Sequence, residues 1–202
     1  MKVSVEVEAY TPNPVDVCSR FAGLCYGKQD SSVKRLERCY KSGHMGIFEH
    51  ASVSFMIEGI SRACSHQLVR HRMASYNQVS QRYCKMGEDY AQVLPKSVKA
   101  HGMTEAYALC VAACLETYHN MLEAGVPAED ARYILPQGGT TALVVTMNLR
   151  ELFHLLELRT DCHAQWEIRR VAYAMLEAAS GIDAQYATIM GLWKADHPTN
   201  VA

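Results

Sequence analysis

A chain of 202 residues, 49% hydrophobic and 20% charged with a net charge of −1, has the material for one sizeable core and too little length for two. A single domain over residues 1–202 is therefore expected, and a disordered or fibrous chain is excluded. No apolar run reaches the ~18 residues that suggest a membrane span, and the N-terminus lacks the basic-then-apolar pattern of a secretory leader, so a cytoplasmic protein with no membrane partner is expected.

In chain order, Val3, Val5 and Val7 alternate with Ser4, Glu6 and Glu8, which predicts a strand with one buried face. Pro12 and Pro14 break it. Val15–Leu24 has helical spacing and Gly27 beyond it; a second helix is expected over Ser32–Lys41, with Asp30, Ser31 or Ser32 as cap and Gly43 as its stop. His44–His50 reads as a loop, Ser52–Glu58 as a strand paired with the first, and Ser61 as the cap of a helix reaching Gln67–Arg70. Thr104–Ala124 is the clearest helix, apolar at Tyr107, Val111, Cys114, Tyr118, Met121 and Leu122 and closed by Gly125. A short helix over Pro127–Ile134 and a turn at Gln137–Gly139 follow. Thr140–Met147 is a β-branched run that periodicity leaves open between strand and buried helix lead-in. Asn148–Arg159 is helical, Asp161 is expected to cap a helix running to about Ala179, and a last helix over Ala184–Lys194 leaves a polar tail. These elements add up to an α/β (α+β) fold, helix-dominated, with a small sheet built from the N-terminal half. Eight cysteines include no C-x-x-C pair and read as reduced thiols, so neither a disulfide framework nor a metal site is expected.

The stretch Arg70–Tyr83 (RHRMASYNQVSQRY) makes a poor core and a good polar wall. Between Glu58 and Glu88 there is no acid, while Arg62, Arg70, Arg72, Arg82 and Lys85 supply five cations, leaving −6 for the rest of a chain of net −1. Segregation of that kind favours an anionic ligand, and arginine suits phosphate because its planar fork donates two parallel hydrogen bonds. A solvated basic face is the bland alternative. The Ser, Asn, Gln and Tyr among the charges argue against it, since a merely soluble face is usually rich in Lys and Glu.

R-H-R followed by seven residues, Ser, any residue and R-Y resembles the signature of the flavin-dependent thymidylate synthases, here Arg70, His71, Arg72, Ser80, Arg82 and Tyr83. Further segments of the resemblance are His44–His50 (HMGIFEH), Asn148–Arg150 (NLR) and Leu158–Ile168 (LRTDCHAQWEI), in the family's order. The resemblance implies a mainly antiparallel sheet and a homotetramer with sites shared between subunits. It also implies FAD, deoxyuridine monophosphate (dUMP), methylenetetrahydrofolate as carbon donor and NADPH as reductant, with thymidine monophosphate (dTMP) as product.

Carried over residue by residue, the resemblance assigns FAD contacts to Gly46, Glu49, Arg70, His71, Arg72, Met73, Gln78, Asn148, Leu149, Arg150 and His154. Nucleotide contacts fall to Gln67, Leu68, Val69, Arg70, Gln78, Val79, Ser80, Gln81, Arg82, Arg132 and Arg159, and Arg159 becomes the catalytic group that activates the uracil. Three positions depart from the family's pattern: Gln78 stands where Glu is frequent, Gly46 where a hydroxyl is frequent, and His154 in place of an Asn. The rival expectation is a non-catalytic phosphate- or nucleic-acid-binding protein using the basic stretch. Against it stand the absence of overall basic charge and the presence of only two aromatics, Tyr76 and Tyr83, among the cations.

Overall fold

The structure is a computed structural model, which describes residues 3–87 and 90–198. Its elements in chain order are β1 (Ser4–Tyr10), α1 (Pro14–Leu24), α2 (Val33–Lys41), a 3-10 segment (Met45–His50), β2 (Ser52–Ser61), α3 (Arg62–Leu68) and β3 (Ala74–Gln78). There follow α4 (Lys96–Ala100), α5 (Thr104–Glu123), α6 (Ala128–Ala131), a 3-10 turn (Arg132–Ile134), β4 (Thr140–Asn148), α7 (Leu149–Thr160), α8 (Trp166–Ser180) and α9 (Ala184–Asp196). The strands form a four-stranded antiparallel sheet in the order β1-β2-β4-β3. The chain divides into a small compact unit (Val3, Glu58–His66, Gln78–Leu143) and a large one (Ser4–Ile57, Gln67–Asn77, Val144 onward).

The large unit owns a dense core. Along β2 and β4 alternate residues are buried, Val53, Phe55 and Ile57 on one and Val145 and Met147 on the other, as a period of two demands. Helices α7 and α8 bury Leu149, Leu152, Phe153, Leu156, Ile168, Val171, Met175 and Leu176, spaced by three and four residues. Each such side chain contributes about 1.5–3 kcal/mol on leaving water. The expected loop at His44–His50 is instead a 3-10 segment, because Phe48 is drawn fully into the core, edge-on to Phe153 and Tyr40. Asp161 does not cap α8: the helix starts at Trp166, and the Gln165 side chain accepts from the N–H groups of Glu167 (2.9 Å) and Ile168 (3.1 Å). Asp161 lies too far back along the chain to reach that first turn and accepts from His163 N–H at 2.8 Å.

In the small unit α5 has the expected length and ends as expected, with Gly125 left-handed at φ 88° and Val126 N–H returning to the Met121 carbonyl. Its expected apolar face is not a core face, however: of the helix's residues only Tyr118 is buried, and Leu109 is 66% exposed. Gly138 and Gly139 are required by packing, since a Cβ on either would strike the Tyr107 hydroxyl or the Tyr90 ring. The run after them is the strand β4, which settles the ambiguity at Thr140–Met147 and corrects the expectation of a sheet built from the N-terminal half, since β4 pairs between β2 and β3. Two elements lay outside the sequence expectations, α4 and β3. The polar tail begins only after α9, which runs to Asp196; residues 199–202 lie outside the described ones.

Candidate functional site

In the large unit, α7 begins where the Asn148 side chain accepts from Glu151 N–H at 2.9 Å. This cap fixes the register of the helix, which places Glu151 in its first turn and Arg159 in its last. Arg159 meets the R-H-R segment directly: its Nε donates to His71 Nε2 at 3.0 Å, and its Nη2 lies 3.4 Å from the Gln67 carbonyl oxygen. His71 is 3% exposed. Burial first, then the positive Arg159 and neighbouring His154, push its pKa down from 6.5 to about 4, so the ring is neutral near pH 7. Its other nitrogen, Nδ1, stands 3.3 Å from Glu151 Oε1, a close approach without the alignment of a good hydrogen bond. Tyr76 closes the loop around His71, its hydroxyl 2.9 Å from the carbonyl oxygens of both Leu68 and His71.

A cavity of about 690 Å³ in the same unit is lined by Glu49, Met73, Asn148, Arg150 and His154, with Tyr40, Phe153 and Trp193 among its other walls. Arg150 and Glu49 are paired across 101 residues of sequence. The cavity is of the size that takes a cofactor-scale molecule. The indole N–H of Trp193 is buried and has no acceptor among the described residues. Arg150, Asn148 and His154 can meet the ring carbonyls and phosphates of a flavin dinucleotide, while Glu49, Glu151, Glu157 and Asp196 add carboxylates to the same wall. Gly46 lines a neighbouring cavity with Arg150 and His50, and a Cβ built on it meets nothing within 4 Å.

Of the remaining assigned residues here, Arg70, Arg72 and Met73 are exposed and Val69 is 36% exposed, whereas Leu68 and Leu149 are fully buried and can reach a ligand only through their backbones.

The small unit carries the other set. Gln78 points inward from β3, its Nε2 donating to Ser65 Oγ (2.9 Å) and Thr141 Oγ1 (3.1 Å), so this amide is committed to holding the strand. Gln81 is buried with its amide on the Tyr90 hydroxyl at 3.2 Å; Ser80 Oγ accepts from Arg82 N–H; and the Arg82 guanidinium pairs with Glu129. Val79 is exposed, its N–H donated to Ala142 O. A cavity of about 390 Å³ gathers Arg62, His66, Gln81, Arg132, Tyr133 and Gln137, two guanidiniums with no carboxylate in the wall. Burial, reinforced by Arg132, lowers the Arg62 pKa, as expected when two cations face one space with no anion between them. Arg62 and His66 were not among the assigned site residues, although the acid-free window of the sequence contains both. Glu151 and Trp193 were missed as well: in sequence they are an ordinary helix acid and an ordinary core aromatic.

Comparison with solved structures places this fold. PolB of Streptomyces cacaoi, a UMP/dUMP methylase solved with 5-Br dUMP, has a TM-score of 0.80 at 24% identity over 96% of this chain and 95% of that one. A family model described as "Thymidylate synthase complementing protein" matches residues 6–183, and the chain belongs to that family. Curated relatives named flavin-dependent thymidylate synthase include those of Geobacter sulfurreducens, 42% identical over 186 residues (86% of this chain, 80% of the relative), and Pyrococcus furiosus, 42% identical over 190 residues (87% and 78%).

Proposed function

We propose that this chain is a flavin-dependent thymidylate synthase, which methylates dUMP reductively to dTMP with FAD as cofactor, methylenetetrahydrofolate as carbon donor and NADPH as reductant. The observation that carries the reading is the seating of Arg159 on the neutral His71 of the R-H-R segment, in the same unit as the cavity of Arg150, Asn148 and His154. Arg150, Asn148, His154 and Glu49 would hold FAD, which when bound and reduced supplies the hydride. Arg159 would lie against the pyrimidine edge and favour loss of the N3 proton, raising electron density on the ring carbon that accepts the methylene. A preorganised donor of this kind is worth on the order of 3 kcal/mol in the transition state. In the small unit, Arg62 and Arg132 face a cavity without a carboxylate, a setting suited to a phosphate.

Gln78 carries no negative charge, and its amide is tied to Ser65 and Thr141, so no base role is assigned to it. The homotetramer implied by the family resemblance is supported by the apolar face that α5 leaves uncovered, where Leu94, Val111, Ala112 and Leu115 border a groove of about 650 Å³. Among the described residues no helix is long and apolar enough to cross a membrane, which supports a cytoplasmic enzyme.

The purified protein is expected to be yellow, to bind added FAD and to release tritium from dUMP labelled at carbon 5. Colourless protein that takes up no FAD and releases no tritium would overturn the reading.

A further inference from the structure

Glu151 lines the cavity proposed for FAD but was given no role there, and its carboxyl side chain is only 10% exposed, in the first turn of the helix that ends in Arg159. A buried acid is costly unless something answers it. What faces it is His71 Nδ1, at 3.3 Å. The opposite ring nitrogen, Nε2, receives the Nε–H of Arg159 at 3.0 Å. An arginine Nε is always a donor. Nε2 must therefore be bare, and the single proton of the neutral ring must sit on Nδ1, the nitrogen nearest the Glu151 carboxylate, which it approaches closely without an aligned hydrogen bond. The charged or titratable groups around the ring are Arg159, Glu151 and His154, the last with its ring centre 5.7 Å away.

We propose that Glu151 and His71 are positioning residues for Arg159: Glu151 fixes the His71 proton on Nδ1, and the bare Nε2 then holds the arginine Nε–H so that its guanidinium keeps one orientation. The proposal rests on the reading of Arg159 as the catalytic arginine. Its logic is that of a carboxylate orienting a histidine, with the histidine serving as a fixed acceptor in place of a base. Nothing is transferred. A guanidinium on a flexible stem loses orientational freedom before substrate arrives, and that lowers the cost of aligning it. If His71 gained a second proton, both ring nitrogens would become donors and Arg159 would be released.

The first test reads the unaltered protein and uses one variant only for assignment. With nitrogen-15 histidine, the ring spectrum of the protein, assigned by the signal lost in His71→Gln, is expected to show His71 protonated on Nδ1 and bare on Nε2 from pH 8 down to about 5. Protonation on Nε2 at neutral pH would overturn the proposal. The second test compares His71→Gln, whose side-chain oxygen can replace the Nε2 acceptor, with His71→Leu, which cannot. His71→Leu is expected to lose about 10- to 100-fold in kcat with the KM for dUMP changed much less, and His71→Gln to recover most of it. Equal losses in the two variants, both folded by circular dichroism, would overturn it. Arg159→Ala keeps the two readings apart. If that variant stays active, the catalytic reading of Arg159 has failed and the positioning role falls with it, while the tautomer of His71 still stands or falls by its own spectrum.

Discussion

Among the described residues the small unit buries five apolar side chains, Ile60, Cys64, Tyr118, Ala131 and Leu143, and the large unit 27. The large unit thus holds its functional groups against a packed interior, as Arg159 is held by His71 at the end of α7. The small unit holds its groups chiefly by polar bonds, Gln78 to Ser65 and Thr141 and Gln81 to Tyr90, while Leu109, Met103 and Tyr133 stay exposed. The difference teaches where precision and where adaptability reside. All three arginines are half-buried; Arg159, seated on the buried His71 ring, suits transition-state stabilisation, and Arg62 and Arg132, sharing a cavity without a carboxylate, suit grip on a phosphate.

The contrast is sharpest at Arg159. Arg159→Ala is expected to lower kcat by about 10²–10³-fold with folding intact, measured as tritium release from labelled dUMP; a loss confined to KM would move the residue from catalysis to simple binding. Next in size is the core. Leu152→Ala in α7 should cost about 2–5 kcal/mol in urea unfolding, whereas Leu109→Ala in α5 should stay within about 0.5 kcal/mol. Equal costs would erase the distinction between the units.

The third way is by pH. Because the folded His71 pKa, about 4, lies below its ordinary 6.5, the unfolded chain binds the proton first. The stability this group leaves intact above pH 6.5 is lost as pH falls through that window toward 4, on the order of 3 kcal/mol at most by linkage. Unfolding curves at pH 7, 5.5 and 4.5 on the protein and His71→Gln should diverge in that sense; parallel curves would mean that the ring titrates normally. The smallest effect is at Gly46, where open space and an unstrained backbone should let Gly46→Ser fold with stability changed by less than about 0.5 kcal/mol. Flavin retention at least equal to that of the original chain is expected; loss of flavin would show that the absent side chain is needed space.

Much of the fold could be read from periodicity. The helices over α1, α2, α5, α7 and α9 lie close to where spacing and caps put them, and Ser32 and Ser61 supply the side-chain oxygens expected at two helix starts, whereas Asn148, expected within α7, caps it. β3 escaped because its inward residues, Tyr76 and Gln78, are polar, satisfied by hydrogen bonds that no hydropathy pattern displays. The apolar face of α5 was legible, but its burial was not, since a stripe of Leu, Val and Ala looks the same whether another part of the chain covers it or nothing does. The site divides in the same way. The cations were visible as a charge-segregated stretch, but the commitment of Gln78, Gln81 and Arg82 to neighbours in the small unit, and the exposure of Arg62 to a cavity, depend on groups up to 63 residues away.

By itself the sequence determined most of the helices, two of the strands, the separation of charge and the family, because local spacing and side-chain chemistry are properties of neighbours along the chain. Only the tertiary structure decided that Arg159 rests on His71, 88 residues earlier, and that Glu151 faces the same ring from its other side. Which nitrogen of a histidine keeps its proton is set by what stands on either side of the ring, and the chain folds to choose those neighbours.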